Sequence, residues 1–164
     1  MDILDISLIF SILTCCLVTG FIFTYAVVVM PGLSKLNDKE FLRAFQVTDG
    51  IIQNNQPLFM LTWVGSIISI LSTIVLSVAM IGLSEAWLII LVGFVYLLGV
   101  QGITIVIHIP LNNHIQQLNI DELNIQLLSD ERKKFEKKWN HFNYIRTVIA
   151  FFVSLTLLII ITTR

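Results

Sequence analysis

The stretch "AWLIILVGFVYLLGVQGITIVIHIPLNNHI", residues 86–115, decides the fold class of this chain. Residues 86–120 contain no Asp, Glu, Lys or Arg, which is long enough for a helix to cross the roughly 30 Å of bilayer hydrocarbon. The polar residues of the quoted stretch gather at its end, where two histidines and two asparagines surround Pro110. Such groups avoid lipid, so the pattern predicts a membrane span whose last turns face other polar groups.

The composition of the whole chain agrees with this prediction. Of its 164 residues, 56% are hydrophobic and 13% charged, and the mean hydropathy is +0.88, whereas charged residues make up about 25% of a soluble domain. We therefore predict an all-α integral membrane protein: an antiparallel four-helix bundle with amphipathic helical connections after spans one and three. Residues 1–164 form a single domain in this prediction, with spans at about 6–30, 57–81, 86–109 and 141–162.

The distribution of charge predicts the topology. The N-terminus carries Asp2 and Asp5 where a secretory signal has Lys or Arg, so we expect a retained first helix. Eight Lys and Arg residues lie in the first and third connections: Lys35, Lys39, Arg43, Arg132, Lys133, Lys134, Lys137 and Lys138. The positive-inside bias then predicts cytoplasmic connections and both termini outside, in a bacterial inner (plasma) membrane.

The three prolines mark predicted helix boundaries. "VVVMPGL", residues 27–33, is expected to end the first span at Pro31, and "VIHIPLN", residues 106–112, to end the third at Pro110. Pro57 suits the first turn of the second span. The similarity of the two proline segments is a weak indication of internal duplication.

An amphipathic helix is predicted in the first connection. Asn37 and Glu40 have the spacing of a capping box that opens it. Its predicted apolar face consists of Phe41, Phe45, Thr48 and Ile52. Its predicted polar face includes Lys39, Arg43 and Gln46. A second amphipathic segment is predicted after span three, and Ser129 or Asp130 is predicted to cap the fourth helix.

Polar side chains recur at helical spacing on all four spans. Span three has Gln101, Thr104 and His108; span four has Trp139, Asn143 and Arg146; span one has Ser7, Ser11, Thr14 and Tyr25; span two has Thr62, Ser66, Ser69 and Thr73. Side chains that form hydrogen bonds avoid lipid, so these four faces are expected to point into the bundle. His141 falls nearly opposite the Trp139 face, which excludes it from the predicted site.

Each of these features also has a purely structural interpretation. The Ser and Thr faces of spans one and two suit close helix packing. Arg146 could snorkel to the interface, Trp139 could belong to an aromatic belt, and His108 could be a structural hydrogen-bonding residue. The convergence of His108 and Arg146 beside Gln101 favours a functional site, because ionisable groups in a span are costly.

Four segments carry a family resemblance. They are "YAVVVMPGL" at 25–33, "NNQPLF" at 54–59, "YLLGVQGITIVIHIPLNNHI" at 96–115 and "WNHFNYIRTV" at 139–148. In this order they resemble the four signature blocks of the anthrone oxygenase-like integral membrane family. The most specific pieces are the G-x-T...P-L-N run that ends span three and the W-x-x-x-N-x-x-R-T run that opens span four.

The resemblance implies a four-helix membrane protein and, for family members with known roles, oxygenation of anthrones to anthraquinones without an obvious cofactor. Asn112, Trp139, Asn143 and Arg146 match the family motifs, and His108 stands where the family pattern has asparagine. A neutral imidazole is able to remove an acidic C–H or phenolic proton near neutral pH. An arginine with amide donors would stabilise the resulting enolate, which dioxygen then attacks.

The predicted site follows from these motifs. The predicted catalytic residues are His108, Arg146 and Asn143, and the predicted substrate-binding residues are Tyr25, Asn54, Gln101, Thr104, Asn112 and Trp139. The expected substrate is a flat apolar phenolic or quinone-like molecule, packed against Trp139 and Tyr25 in a polar pocket near the cytoplasmic leaflet. No metal and no cofactor are expected.

Other functional classes remain open at this stage. A metal or haem site would pair His108 with His114 or His141, but an i, i+6 pair across a proline is no helical ligand pair. A non-catalytic membrane subunit, or a lipid- or quinone-binding protein, would use Arg146 to bind a phosphate. The expected partners are the lipid bilayer and a small apolar ligand or lipid, with a homo-oligomer left open. The run at 131–139 balances its basic residues with acids, so no nucleic acid is expected.

Overall fold

The computed structural model describes residues 1–164, and the chain folds into five helices without a strand. The helices are α1 (Ile3–Leu33), α2 (Asp38–Gln53), α3 (Pro57–Ile81), α4 (Leu83–Gln117) and α5 (Ile125–Thr163). All except α2 are long and apolar enough to cross a membrane. The predicted fold class is confirmed, and the chain is an integral membrane protein.

The four long helices alternate in direction and pack around a ring. Helix α1 contacts α3 and α5, and α4 contacts the same two helices from the other side. Both termini lie at one end, which we call the terminal end, where Arg164 pairs with Asp2 and Asp5 at 2.8 and 3.1 Å. A single residue, Gly82, links α3 to α4 with a φ of +79°, a left-handed conformation that glycine adopts without steric cost.

Hydroxyl groups join the helices in the terminal half of the bundle. The inter-helix pairs are Ser7–Thr73 at 2.6 Å, Ser11–Thr73 at 2.9 Å, Thr14–Ser69 at 3.0 Å and Thr19–Ser154 at 3.1 Å. Most of the Ser and Thr faces of spans one and two therefore meet each other. Small side chains allow membrane helices to approach closely, and these hydroxyls find partners away from lipid.

Helix α4 continues through Pro110 to Gln117, so the prediction that this proline ends the third helix is wrong. Helix α1 ends at Leu33, just after Pro31, close to its predicted end. A π-helical segment precedes each proline, Tyr25–Val29 in α1 and Thr104–His108 in α4. The wider turn relieves the clash of the proline ring with the preceding turn and re-pairs the backbone groups that proline leaves unbonded.

Helix α2 covers the end of the bundle opposite the termini, which we call the cavity end. The predicted capping box of Asn37 and Glu40 is confirmed. Phe45 packs edge-on against Phe135 of α5, with ring centroids 4.5 Å apart. Helix α5 has 39 residues and is therefore roughly 58 Å long, so its first turns extend beyond the hydrocarbon and support α2. Its N-cap is Asn124, which corrects the predicted cap at Ser129 or Asp130.

The orientation of α2 differs from the prediction. Thr48 is exposed, whereas Asp49 is buried, so the buried face includes the residue after the predicted one. Gln46, predicted to face water, donates hydrogen bonds to the backbone carbonyls of Ile115 and Leu118 at 2.7 and 3.0 Å. The physical reason is that α2 docks on the polar C-terminal end of α4, whose last carbonyls need donors.

Candidate functional site

A cavity of about 480 Å³ lies at the cavity end, beneath α2. This volume is in the range of pockets that hold small organic molecules. Along α1 the cavity wall extends from Leu17 to Tyr25, which are eight helical steps apart and therefore separated by roughly 12 Å. Leu58, in the first turn of α3, lines the cavity and is 70% exposed. The lining of the cavity therefore reaches the surface of the protein at the start of α3.

The lining of the cavity is apolar on one side and polar on the other. The apolar wall is formed by α1 and α3, through Leu17, Val18, Phe21, Phe59, Met60 and Trp63. Most of the polar side chains come from α2, α4 and α5, and the polar lining includes Tyr25, Asp49, Thr104, His108, Asn112 and Arg146. A ligand that fits this lining has an apolar face toward α1 and α3 and polar groups toward α2, α4 and α5.

Arg146 is the buried cation of the cavity. Only 6% of its surface is exposed. Its Nε donates to Asn143 Oδ1 at 3.0 Å and its Nη1 donates to Thr104 Oγ1 at 2.8 Å. Its guanidinium forms no salt bridge, and Nη2 donates to no group of the chain. Because the side chain is buried and lines the cavity, it does not snorkel outward. A buried guanidinium without a carboxylate favours an anionic or strongly dipolar ligand.

His108 lies beside Arg146 and is 2% exposed. Its ring meets the indole of Trp139 edge-on, with centroids 4.9 Å apart and planes at 81°. Neither Nδ1 nor Nε2 forms a hydrogen bond with another group of the protein. Because buried polar atoms are nearly always satisfied, a ring in the cavity lining with two unpaired, buried nitrogens calls for an explanation.

Asp49 is a cavity residue that the sequence analysis missed. It is 2% exposed and accepts hydrogen bonds from Asn112 Nδ2 at 2.8 Å, Gln116 Nε2 at 3.1 Å and Gln53 Nε2 at 3.2 Å. Burial raises the pKa of this carboxyl above its ordinary value, and the three amide donors offset part of the rise. Its signal was its position four residues after Phe45, on the apolar face of α2.

Asn112 and Trp139 connect the two sides of the site. The indole Nε1 of Trp139 donates to Asn112 Oδ1 at 3.0 Å, while the amide of Asn112 donates to Asp49. The rings of Trp139 and Tyr25 lie beside each other, with centroids 5.6 Å apart. The two aromatic residues therefore form one continuous wall against which a flat ligand could pack.

Three predicted site residues lie outside the cavity lining. Asn143 donates to the carbonyl of Ile22 at 3.1 Å, and its Oδ1 accepts a hydrogen bond from Arg146 Nε. Gln101 donates to Ser66 Oγ at 3.1 Å, deeper in the bundle. Asn54 is exposed at the C-cap of α2.

The placement of these residues has local causes. The π-helical segments Leu97–Gly102 and Thr104–His108 change the turn of α4, so Gln101 and Thr104 no longer share one α-helical face. At the α2–α3 turn, Gln53 and Asn55 line the cavity instead of Asn54. Asn55 has a φ of +57°, a conformation that asparagine tolerates better than most residues.

Successive turns of α4 arrange the polar groups in order. Thr104 contacts Arg146, His108 follows one turn later, and Asn112 contacts Asp49 after a further turn. From Thr104 to Asn112 the helix rises roughly 12 Å. The imidazole thus lies between a guanidinium on the deeper side and a carboxylate on the side of α2.

The other histidines are remote from this arrangement. His114 pairs with Glu131 at 2.6 Å on the surface, and His141 is exposed, as predicted. No group of three or more His, Cys, Asp or Glu side chains is arranged to ligate a metal ion.

The family comparison covers most of these residues. A sequence model described as anthrone oxygenase matches residues 57–156, which contain α3, α4 and much of α5. The chain belongs to the anthrone oxygenase family. No curated protein and no solved structure matches the chain. Within this anthrone oxygenase family member, the matched region supplies His108, Asn112, Trp139 and Arg146, whereas Tyr25 and Asp49 come from helices that precede it.

Proposed function

We propose that this family member is a cofactor-independent oxygenase that acts on a flat apolar phenolic or quinone-like substrate in the cavity. The observation that carries the proposal is the pairing of an unsatisfied imidazole, His108, with Arg146, a buried guanidinium that has no acidic partner. A base and an anion-stabilising donor in an apolar pocket are what enolate formation from a weakly acidic ketone requires.

The reaction for an anthrone balances with dioxygen alone. His108 removes one proton from the methylene carbon, and the carbonyl oxygen of the resulting enolate receives hydrogen bonds from Arg146. The enolate carbon forms a bond to dioxygen, which is reduced to a peroxide that takes the proton back from His108. His108 then removes the second methylene proton as the O–O bond breaks. The carbon becomes a carbonyl, and the expelled hydroxide leaves as water with that proton.

The remaining residues would position these groups. Thr104 and Asn143 fix the guanidinium through Nη1 and Nε, which leaves Nη2 for the substrate oxygen. The aromatic wall of Trp139 and Tyr25 would hold the rings, and the apolar wall from α1 and α3 would exclude water from the enolate. An apolar substrate would enter from the bilayer past Leu58.

The proposal also includes the orientation of the protein in its membrane. The cavity end carries the first and third connections, where eight Lys and Arg residues lie. The positive-inside bias therefore puts the cavity at the cytoplasmic leaflet of a bacterial inner membrane, with both termini outside.

A second candidate is a non-catalytic lipid- or quinone-binding protein. The observation that favours it is a largely apolar cavity beside a buried guanidinium, which suits a lipid phosphate or a quinone carbonyl. The two candidates differ in turnover. Both require a ligand in the cavity, but only the oxygenase consumes dioxygen.

The deciding experiment measures oxygen uptake and anthraquinone formation by the protein in lipid nanodiscs supplied with anthrone. Empty nanodiscs provide the rate of spontaneous oxidation. We expect Arg146→Ala and His108→Ala to reduce the rate to this background, whereas Arg43→Ala and His141→Ala, two exposed counterparts, retain it. Equal rates in all five proteins would refute the oxygenase. Anthraquinone binding without any uptake above background would favour the second candidate.

A further inference from the structure

Asp49 lines the same cavity as Arg146, yet the two form no salt bridge with each other or with any other side chain. The order along α4 separates them, since Arg146 is held at Thr104 and Asp49 at Asn112. An anthrone reacting at Arg146 and His108 has no group in this scheme that needs a carboxylate. A buried carboxylate is costly, so its presence at the cavity wall calls for an explanation.

The hydrogen bonds of Asp49 leave it able to accept one more. A carboxylate has about four acceptor positions. Oδ2 accepts from Gln116 and Gln53, whereas Oδ1 accepts from Asn112 only. The three amides also fix the carboxylate, so that accepting a further donor would require little rearrangement.

We propose that Asp49 is a specificity-determining residue that accepts a hydrogen bond from a neutral donor, such as a hydroxyl, on the end of the ligand that faces α2. The ligand would therefore carry two polar ends: an acceptor or enolate oxygen toward Arg146, and a donor toward Asp49. A lipid phosphate or carboxylate at the second position is excluded, because it would meet a like charge. This inference rests on the proposed function, since it takes the cavity as the substrate site.

The position of Asp49 in α2 adds a structural consequence. Helix α2 lies outside the matched family region and covers the cavity. If α2 supplies part of the binding site, changes in α2 would allow members of the family to recognise different ring substituents. The reacting groups would remain on α3, α4 and α5. Asp49 would contact the ligand without taking part in proton removal.

The test uses two probes of the same ring system, 2-methylanthraquinone and 2-(hydroxymethyl)anthraquinone, which differ by one hydroxyl. Equilibrium dialysis against the protein in nanodiscs, with empty nanodiscs subtracted, gives the two dissociation constants. A hydrogen bond to a charged group gives about tenfold tighter binding of the hydroxyl probe. Asp49→Asn should reduce this ratio severalfold, because a neutral amide oxygen accepts a weaker hydrogen bond than a carboxylate, while Asp130→Asn, a carboxylate outside the cavity, should leave it unchanged.

Three outcomes would overturn the inference: equal binding of both probes by the parent, an unchanged ratio in Asp49→Asn, or equal weakening of both probes in that variant. The last would show that Asp49 only positions Asn112 and Trp139. If Asp49→Asn does not fold, the comparison of the two probes on the parent protein still tests the inference, because equal binding of both would overturn it. Binding of the probes does not require turnover. A preference for the hydroxyl probe without oxygen uptake would therefore refute the proposed oxygenase but support the role of Asp49.

Discussion

The arginines at the two ends of the bundle have opposite electrostatic environments. At the terminal end, Arg164 pairs with two acids, Asp2 and Asp5. At the cavity end, Arg146 is more deeply buried and is held by neutral oxygens of Asn143 and Thr104. The first arrangement neutralises the charge within the protein. The second keeps a cation fixed but uncompensated, which in the proposed function would serve a ligand that brings the complementary charge.

The same contrast holds for the uncharged polar groups. In the terminal half, the hydroxyls of α1 and α3 bond directly to each other and join the helices. In the cavity half, polar side chains on α1, α2, α4 and α5 surround an open volume. Polar residues at helical spacing thus serve helix packing in one half of this protein and a candidate binding site in the other.

The largest expected difference concerns the two arginines. Arg146→Ala should reduce anthrone oxidation by about 10²–10³-fold, because it removes the donor that would stabilise the enolate. Arg164→Ala should leave the rate unchanged, since its ion pairs are at the other end of the bundle. Rates of anthraquinone formation in nanodiscs measure both effects. A similar loss in the two variants would mean that the two ends do not differ in function.

A smaller effect is expected from the hydroxyl that holds Arg146. Thr104→Val preserves the shape of the side chain but removes the acceptor for Nη1. Losing a hydrogen bond to a charged group should slow turnover by about tenfold. Thr104→Ser keeps the hydroxyl and should recover most of the rate. Failure of Thr104→Ser to exceed Thr104→Val would indicate that the methyl group, not the hydrogen bond, matters at this position.

Asp49 should make the stability of the cavity end depend on pH. Burial raises its pKa in the folded protein, so the folded state binds this proton more tightly than the unfolded chain. The stabilisation from Asp49 is therefore full in acid and decreases as the pH rises through the raised pKa. The gap in thermal unfolding midpoint between the parent and Asp49→Ala should narrow from acidic to neutral pH. A gap that widens with pH would show that the carboxylate form stabilises the fold instead.

The smallest effect is expected from a hydroxyl at the terminal end. Thr73 bonds to Ser7 and Ser11, and Thr73→Val removes both contacts with little change in volume. Polar contacts between membrane helices contribute about 0.6 kcal/mol on average, so stability should fall by about 1 kcal/mol while turnover per folded molecule stays constant. Reversible unfolding in mixed micelles would measure the stability. A fall in turnover comparable to that of Thr104→Val would contradict the division between the two halves.

The sequence was sufficient for the fold class because long charge-free windows have one stable solution, a helix that satisfies its own backbone in lipid. Six of the nine predicted site residues also line the cavity, including His108, Trp139 and Arg146. These positions combine a polar side chain with a buried α-helical face.

The wrong and missing predictions concern residues whose position is decided by contacts between helices and not by the sequence pattern of one helix. Pro110 lies within α4 because the π-helical segment Thr104–His108 accommodates it. A second π-helical segment, Leu97–Gly102, contains Gln101, which bonds to Ser66 and does not line the cavity. Asp49 was missed because its burial depends on three amides from α2 and α4 that hold it inside. Such contacts depend on how α2 packs against α4, and the residue pattern of a single helix does not predict that packing.

The central claim is that the cavity at the end opposite the termini binds a flat aromatic ligand between α1, α3 and α4. Photolabelling with 2-azidoanthraquinone in nanodiscs, followed by peptide mass spectrometry, tests it directly. Labels that unlabelled anthraquinone competes away should fall on cavity-lining residues such as Phe21, Phe59 and Trp63. Competed labels confined to the lipid-facing terminal half, for example at Phe151 or Leu158, would contradict the claim.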